Sequence, residues 1–297
     1  MRNIKTEIID TEKQISDLVD WLISRYASRV LVEPTMYIDL EGVDLCREGS
    51  LSILTLLIDT GSPSMRVCLI DVHLLGSQAF NTTGMKGKSL KDILQNENIP
   101  KVFFDIRNDS DALYAHFGVA LQGVEDIQLM ESAARVATSS RKYLNGLARC
   151  IEQSGLDSHD LRSWKLAKEK GARLFKPEFG GSYKVFEERP ICNDIISYCV
   201  GDVQHLPDLW SKFRSGTVRW QVLVSIETKT RVEASHKPEY QPHGPGRTLA
   251  LWSKDQNKTL DDEWNYVPPP PISLKRNIYW SYYYDCENER NYSDNSD

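Results

Sequence analysis

Three separated groups of acids stand out by residue type and spacing. In TMYIDLEG, Met36, Ile38 and Leu40 alternate with Tyr37, Asp39 and Glu41; a strand repeats its faces every two residues, so both carboxylates fall on one side. Their mutual repulsion is cheap on an exposed face and costly in a cleft unless a cation or proton lies between them. In KVFFDIRNDSDAL, Asp105, Asp109 and Asp111 gather where a strand gives way to a helix, a position that exposes carboxylates. In YCVGD, Tyr198 and Asp202 are four residues apart and share a helix face. Acidic clusters that meet in a cleft select Mg2+ or Mn2+ over zinc, because hard cations prefer oxygen donors. Two such ions about 3.5 to 4 Å apart activate a water and stabilise a leaving oxygen during phosphodiester hydrolysis. Residue chemistry alone leaves a plainer account open: Asp109 as a helix N-cap, Tyr198 as a core aromatic and Asp202 as support for a helical turn.

Periodicity indicates the elements that must position these side chains. IKTEIID reads as a short strand, and Thr11 with Gln14 opens a capping box for the amphipathic run EKQISDLVDWLISRY. Strands are expected over 36–43, 51–59 and 66–74, and the short turns between them imply an antiparallel meander. A helix over 89–96, a strand over 101–105, a helix over 109–117 and a strand over 124–130 leading into a helix at 130–137 follow. Further helices are expected over 143–153 and 159–170, and a last one from Pro190 to about Phe213, bent or interrupted at Pro207. The alternation argues for a mixed α/β sheet with helices on its faces. From about residue 234 the sequence becomes loop-like, with VPPPP and then NIYWSYYYDCENERNYSDNSD, whose acidic end reads as disordered. The tyrosines before that end either pack back on the body or form a protein-partner surface.

A chain of 297 residues with a formal net charge of −6 can hold one domain of about 200 residues with extensions, or two small ones. The acidic balance argues against nonspecific coating of nucleic acid but not against an enzyme that grips a few phosphates. Six cysteines form no CxxC pair, so neither a zinc site nor a disulfide framework is expected; reduced thiols suit an intracellular protein, nuclear or cytoplasmic. The charged N-terminus lacks a secretory core and no run approaches a membrane span, so no membrane association is expected.

YIDLEG, KVFFDIRNDSDAL and YCVGDVQHLPDLW, in this order, resemble the three exonuclease motifs of the DEDD superfamily, in its tyrosine-bearing branch and close to ribonuclease D-like 3'-5' exonuclease domains. Softer resemblance runs through VEDIQLMESA and YLNGLARCIE, so an exonuclease domain over 1–215 and a C-terminal extension over 216–297 are expected. The resemblance implies a ribonuclease H-like α/β fold: a mixed five-stranded sheet with its first three strands antiparallel, flanked by helices. It implies two Mg2+ or Mn2+ ions held by Asp39, Glu41, Asp109 and Asp202, with Asp39 bridging both. Glu41 and Asp202 would hold the water-activating ion, Asp109 would support the second, and Tyr198 would orient the nucleophilic water. The implied reaction is hydrolysis of the last phosphodiester of an RNA or DNA single strand with a free 3' end, RNA slightly preferred, releasing nucleoside 5'-monophosphates. The rival is a catalytically inactive nuclease-like module that binds RNA or a protein. Asp105 is a candidate accessory acid, and Arg107 either contacts phosphate or pairs with a neighbouring acid. His205 falls on the wrong side of Asp202 for a histidine-bearing motif and reads as a surface or supporting residue.

Strand binding needs cations for upstream phosphates and aromatics for bases. The clearest basic run is 162–176, where Arg162, Lys165, Lys168 and Arg173 interleave with Trp164; solvated helix faces carry the same pattern. Residues 212–247 are also basic, including Arg231 and Arg247, and would continue that surface into the extension.

Overall fold

A computed structural model describes residues 3–264 except 28–33, 60, 62–63, 215–217, 245 and 251. In chain order the elements are β1 (Asn3–Ile9), α1 (Glu12–Ala27), β2 (Met36–Glu41), β3 (Ile53–Ile58) and β4 (Ser64–Asp71), then α2 (Val72–Leu75), α3 (Gln78–Asn81) and α4 (Leu90–Leu94). They continue with β5 (Lys101–Phe103), α5 (Arg107–Phe117), β6 (Val124–Asp126), α6 (Ile127–Ala133), α7 (Leu147–Glu152) and α8 (Ser158–Phe175). The last are α9 (Asn193–Val203), α10 (Leu206–Phe213), α11 (Val218–Ser235) and α12 (Lys254–Trp264). The aromatic stretch beyond Trp264 and the VPPPP run lie outside the described residues. No helix among the described residues is long and apolar enough to cross a membrane.

The strands form one mixed sheet in the order β1-β4-β3-β2-β5-β6. β2, β3 and β4 make the expected antiparallel meander, while β5 runs parallel to β2 and β6 parallel to β5. The sheet has six strands rather than five, because β1 adds at the edge, parallel to β4 from Asn3 opposite Ser64 to Ile9 opposite Ile70. Thr11 and Gln14 start α1 as a capping box, with Gln14 Oε1 accepting from Thr11 N at 3.0 Å and Thr11 Oγ1 from Gln14 N at 3.3 Å.

Alternation along β2 sorts the core into two layers. Met36, Ile38 and Leu40 join Leu18 and Leu22 of α1 and Ile93 of α4 on one face. Tyr37 joins Trp164 of α8, Ile195 and Cys199 of α9 and Leu206 and Leu209 of α10 on the other. Asp39 and Glu41 share the Tyr37 side by the same period, so α8 and α9 cover the acids. α11 packs against α5, α6 and β6, with Trp220 and Val224 in one layer and Val232 in the other.

Several boundaries differ from expectation, each with a local cause. The strand expected to reach residue 74 stops at Asp71, whose carboxylate caps α2 by accepting from Leu74 N at 3.0 Å and pairs with Arg189. The strand expected over 124–130 stops at Asp126, which caps α6 through Gln128 N at 2.9 Å. The helix expected from Pro190 begins at Asn193 and breaks between Val203 and Leu206, with Pro207 in the first turn of α10 where its missing N–H costs nothing.

Candidate active site

β2 lies between β3 and β5, with Asp39 opposite Thr55 and Glu41 opposite Ile53. Gly42 ends the motif because a Cβ there would sit 1.9 Å from the Ser50 carbonyl oxygen; the chain must pass this close to turn into the next loop. Across the cleft, Tyr198 and Asp202 occupy successive turns of α9. One carboxylate oxygen from each of Asp39, Glu41 and Asp202 lies within 4.8 Å of the others. This all-oxygen donor set fits a hard dication such as Mg2+ or Mn2+. Asp109, in the first turn of α5, faces the same field without joining that trio: its charge reaches Glu41, and Asp39's reaches it. It is not the helix cap, a position taken by Ile106.

Burial raises all four of these acids, and mutual repulsion adds to it at Asp39, Glu41 and Asp109. Asp39 is raised well above the ordinary aspartate value by burial and then by Asp202, with Lys168 opposing. Burial and the neighbouring carboxylates raise Glu41 likewise. Asp109 is raised by burial, Asp39, Asp105 and Asp126, against Arg247. Asp202 is raised by burial, against the charge and hydrogen bond of Lys168 and a hydrogen bond with Glu41. Lys168 reaches in from α8, pairs with Asp202 and sets its ammonium 2.9 Å from the centre of the Tyr198 ring. Burial and the surrounding carboxylates push the Tyr198 hydroxyl upward, so it stays protonated and can donate. The Tyr198 ring meets Phe175 edge-on at 5.0 Å and backs onto Gly171, where a Cβ would come within 2.5 Å of the Tyr198 Cβ. A glycine inside α8 therefore lets α9 approach closely enough to present the tyrosine.

The sequence profile described as 3'-5' exonuclease matches residues 7–217. The chain belongs to the 3'-5' exonuclease family. The mouse piRNA biogenesis protein EXD1 is 35% identical over 127 residues, 43% of this chain and 19% of that protein, so the chain spans about a fifth of that curated relative's length. The Trypanosoma brucei RNase D in complex with GMP superposes with a TM-score of 0.64 at 20% identity, covering 91% of this chain and 74% of that one. The same enzyme with RNA U12 superposes at 0.62 and 21% identity, covering 87% and 79%. At these identities the likeness is one of fold.

Around the acidic trio, other sequence candidates fall in different places. Asp105, at a positive φ of 62°, is clamped by Arg107 Nε and Nη2 at 2.5 and 2.6 Å. Burial opposes it, but Arg107, Arg231 and Arg247 hold its carboxyl below the usual range. Arg107 is thus a partner of Asp105, and Asp105 stands apart from the acidic trio. Asp111 is taken by Arg47, Nε to Oδ1 at 2.7 Å. His205 meets Gln204 at 3.1 Å, and burial lowers it.

On α8, Trp164 is not available to stack on a base: it is buried against α9 and donates from Nε1 to the Gly201 carbonyl at 2.9 Å. Lys165 pairs with Glu152 at 2.5 Å and Arg173 with Glu169 at 2.6 Å on the exposed side, where Arg162 is also exposed. Of this run, Lys168 is the residue turned into the site. Basic content flagged Arg231 and Arg247, but nothing in the sequence indicated that they, with Asn108 and Tyr240, build the wall beside Asp109. Asp126, the partner of Arg231, and Asn108, shared by Tyr240 and Arg247, lie too far away along the chain for spacing to reveal.

Proposed function

We propose that the chain is a divalent-metal-dependent 3'-5' exonuclease of the tyrosine-bearing DEDD branch, acting on single strands with a free 3' end. The observation that carries this reading is the convergence of Asp39, Glu41 and Asp202 within 4.8 Å, with Asp109 and Tyr198 around them. Asp39, Glu41, Asp109 and Asp202 would hold two Mg2+ or Mn2+ ions, Asp39 serving both. When bound, such ions supply the positive charge that acidifies a water and stabilises a leaving oxygen.

The chain's own groups do the rest. Tyr198, protonated and wedged between Phe175 and Gly171, donates a hydrogen bond that aims the attacking water. The water's oxygen forms a new bond to phosphorus, the bond to the 3' oxygen of the penultimate nucleotide breaks, and that oxygen takes a proton. A nucleoside 5'-monophosphate is released. Lys168 balances the carboxylates before ions and substrate arrive and then turns to the scissile phosphate. RNA is preferred over DNA, a reading supported by the similarity to a protein named for piRNA biogenesis.

The test uses matched RNA and DNA oligonucleotides with free or blocked 3' ends, with Mg2+ or Mn2+. Mononucleotides should appear from free ends only, and the double variant Asp39→Ala/Glu41→Ala should abolish release while remaining folded. Lys168 favours a second reading, because its ammonium already supplies a cation at Asp202 and over the Tyr198 ring. If it stays there when a strand binds, the chain is a catalytically inactive RNA-binding module. Binding without release from either strand, with either metal, would select that reading.

A further inference from the structure

We propose that Arg247, carried by the segment that follows α11, binds the strand phosphate next to the scissile one, on the side that is retained after cleavage. The proposal rests on the exonuclease reading above and adds a subsite built from residues beyond the three motifs.

The described stretches 236–244 and 246–250 lie against the wall beside Asp109. Near the start of the first, Arg47 Nη2 donates to the carbonyls of Ser235 and Lys237 at 2.7 and 2.9 Å, and the guanidinium lies 5.7 Å from the Tyr240 ring centre. Near the end of the second, Leu144 N donates to Thr248 O at 2.7 Å and Ala250 N to Lys142 O at 3.1 Å. Arg107 Nη1 donates to the Arg247 carbonyl at 3.0 Å. The Arg247 side chain is therefore delivered from a backbone fixed at both ends.

The arginines of this wall are unequally engaged. Asp105 is held bidentately by Arg107, and Asp126, fully buried, by Arg231 at 2.7 Å. Arg247 is the third arginine, and its ion pair is a loose one to Asp105, which Arg107 already holds bidentately. Its hydrogen-bond acceptors are neutral and all fall on Nη1: Tyr240 Oη at 3.0 Å, Asn108 Oδ1 and the Pro242 carbonyl. The other edge, Nε with Nη2, makes no hydrogen bond among the described residues. Nη2 stands 3.9 Å from Asp105, and 26% of the side chain remains exposed. A guanidinium held on one edge by neutral acceptors, with its forked edge free of hydrogen bonds among the described residues and only loosely paired to Asp105, is arranged to receive a phosphate bidentately.

The place of that phosphate follows from Asn108, which accepts from Arg247 Nη1 and immediately precedes Asp109 in the first turn of α5. In the proposed reaction Asp109 would help hold the second ion, the one that would stabilise the leaving 3' oxygen of the penultimate nucleotide. The next anion along the strand is that nucleotide's own 5'-phosphate.

The test measures anisotropy of a labelled single strand with wild-type protein, Arg247→Ala and Arg247→Lys, in Ca2+ with the strand shown intact on a gel. Neutral methylphosphonates replace one linkage at a time from the 3' end. For the wild type, neutralising the first linkage upstream of the scissile one should weaken binding about tenfold or more, the scale of a charge-assisted bond. Arg247→Ala should weaken the unmodified strand by the same factor, show no further loss at that linkage, and reduce the log–log salt slope by about 0.7. Arg247→Lys should restore part of the affinity, and Tyr240→Phe, which loosens the support, should give a smaller loss at the same linkage. Losses that multiply at that linkage, or that couple to a different one, would overturn the proposal alone. Failure of the wild type to bind any strand would overturn the exonuclease reading with it.

Discussion

Replacing Asp39 by asparagine should make the metal-free protein more stable and the metal-loaded protein less stable than wild type. The three carboxylates whose oxygens lie within 4.8 Å repel one another by about 3 kcal/mol per charged pair at an effective dielectric near 20. Protons already held on the site, and Lys168, remove part of that cost, so relief of about 1 to 2 kcal/mol is expected. For a domain of this size that is roughly 2 to 8 °C in Tm. In Mn2+ at about 100 times its Kd the wild type should gain about 2.7 kcal/mol, roughly 5 to 10 °C, and the variant almost none. Thermal unfolding in EDTA and in Mn2+ should therefore show the two proteins exchanging rank. A variant less stable than wild type in EDTA, or one that gains as much from Mn2+, would refute the claim that Asp39 is a strained ligand awaiting a cation.

The pH response has the same origin. Asp39, Glu41 and Asp109 are raised, so in the folded chain they keep protons that the unfolded chain loses near pH 4. Metal-free stability should then fall as pH rises from there through their raised values, and Mn2+ should flatten the slope in Tm measured from pH 5 to 8. Tyr198→Phe should lower kcat about a hundredfold while leaving Mn2+ affinity by calorimetry unchanged; a matching loss of metal affinity would show that the hydroxyl supports the ions rather than the water. Gly171→Ala should cost about 1 to 3 kcal/mol by overpacking α8 against α9 and should lower kcat more than it raises KM. Unaltered stability and rate would mean that the helix spacing does not set the tyrosine's position.

That Asp39 and Glu41 share one side of β2 was legible because a strand period of two is rigid, and that Tyr198 and Asp202 share one side of α9 because one helical turn joins them. Asp109 was separable from Asp105 only by resemblance; structurally the difference is that Asp105 sits in an arginine clamp while Asp109 does not. Trp164 misled because interleaving with cations looks the same whether an aromatic faces solvent or the neighbouring helix. Spacing inside α8 says nothing about which side α9 will cover. The wall formed by Arg231, Tyr240 and Arg247 was unreadable for a related reason. Its basic composition was visible, but the partners Asp126 and Asn108 lie more than a hundred residues earlier, and no local periodicity encodes a contact of that range.

The ion pair between Arg231 and Asp126 also bears on where this chain may be cut. Asp126 is fully buried and caps α6 from the end of β6, and its counter-charge arrives from α11, beyond the last acidic motif. Ending the chain after α10 would strand a carboxylate in the interior, an imbalance of about 3 to 5 kcal/mol, a large fraction of what holds a typical domain folded. The span that carries the motifs is then shorter than the span that must be inherited intact. A recombinant fragment designed around the motifs alone should fail by insolubility before its chemistry can be assayed.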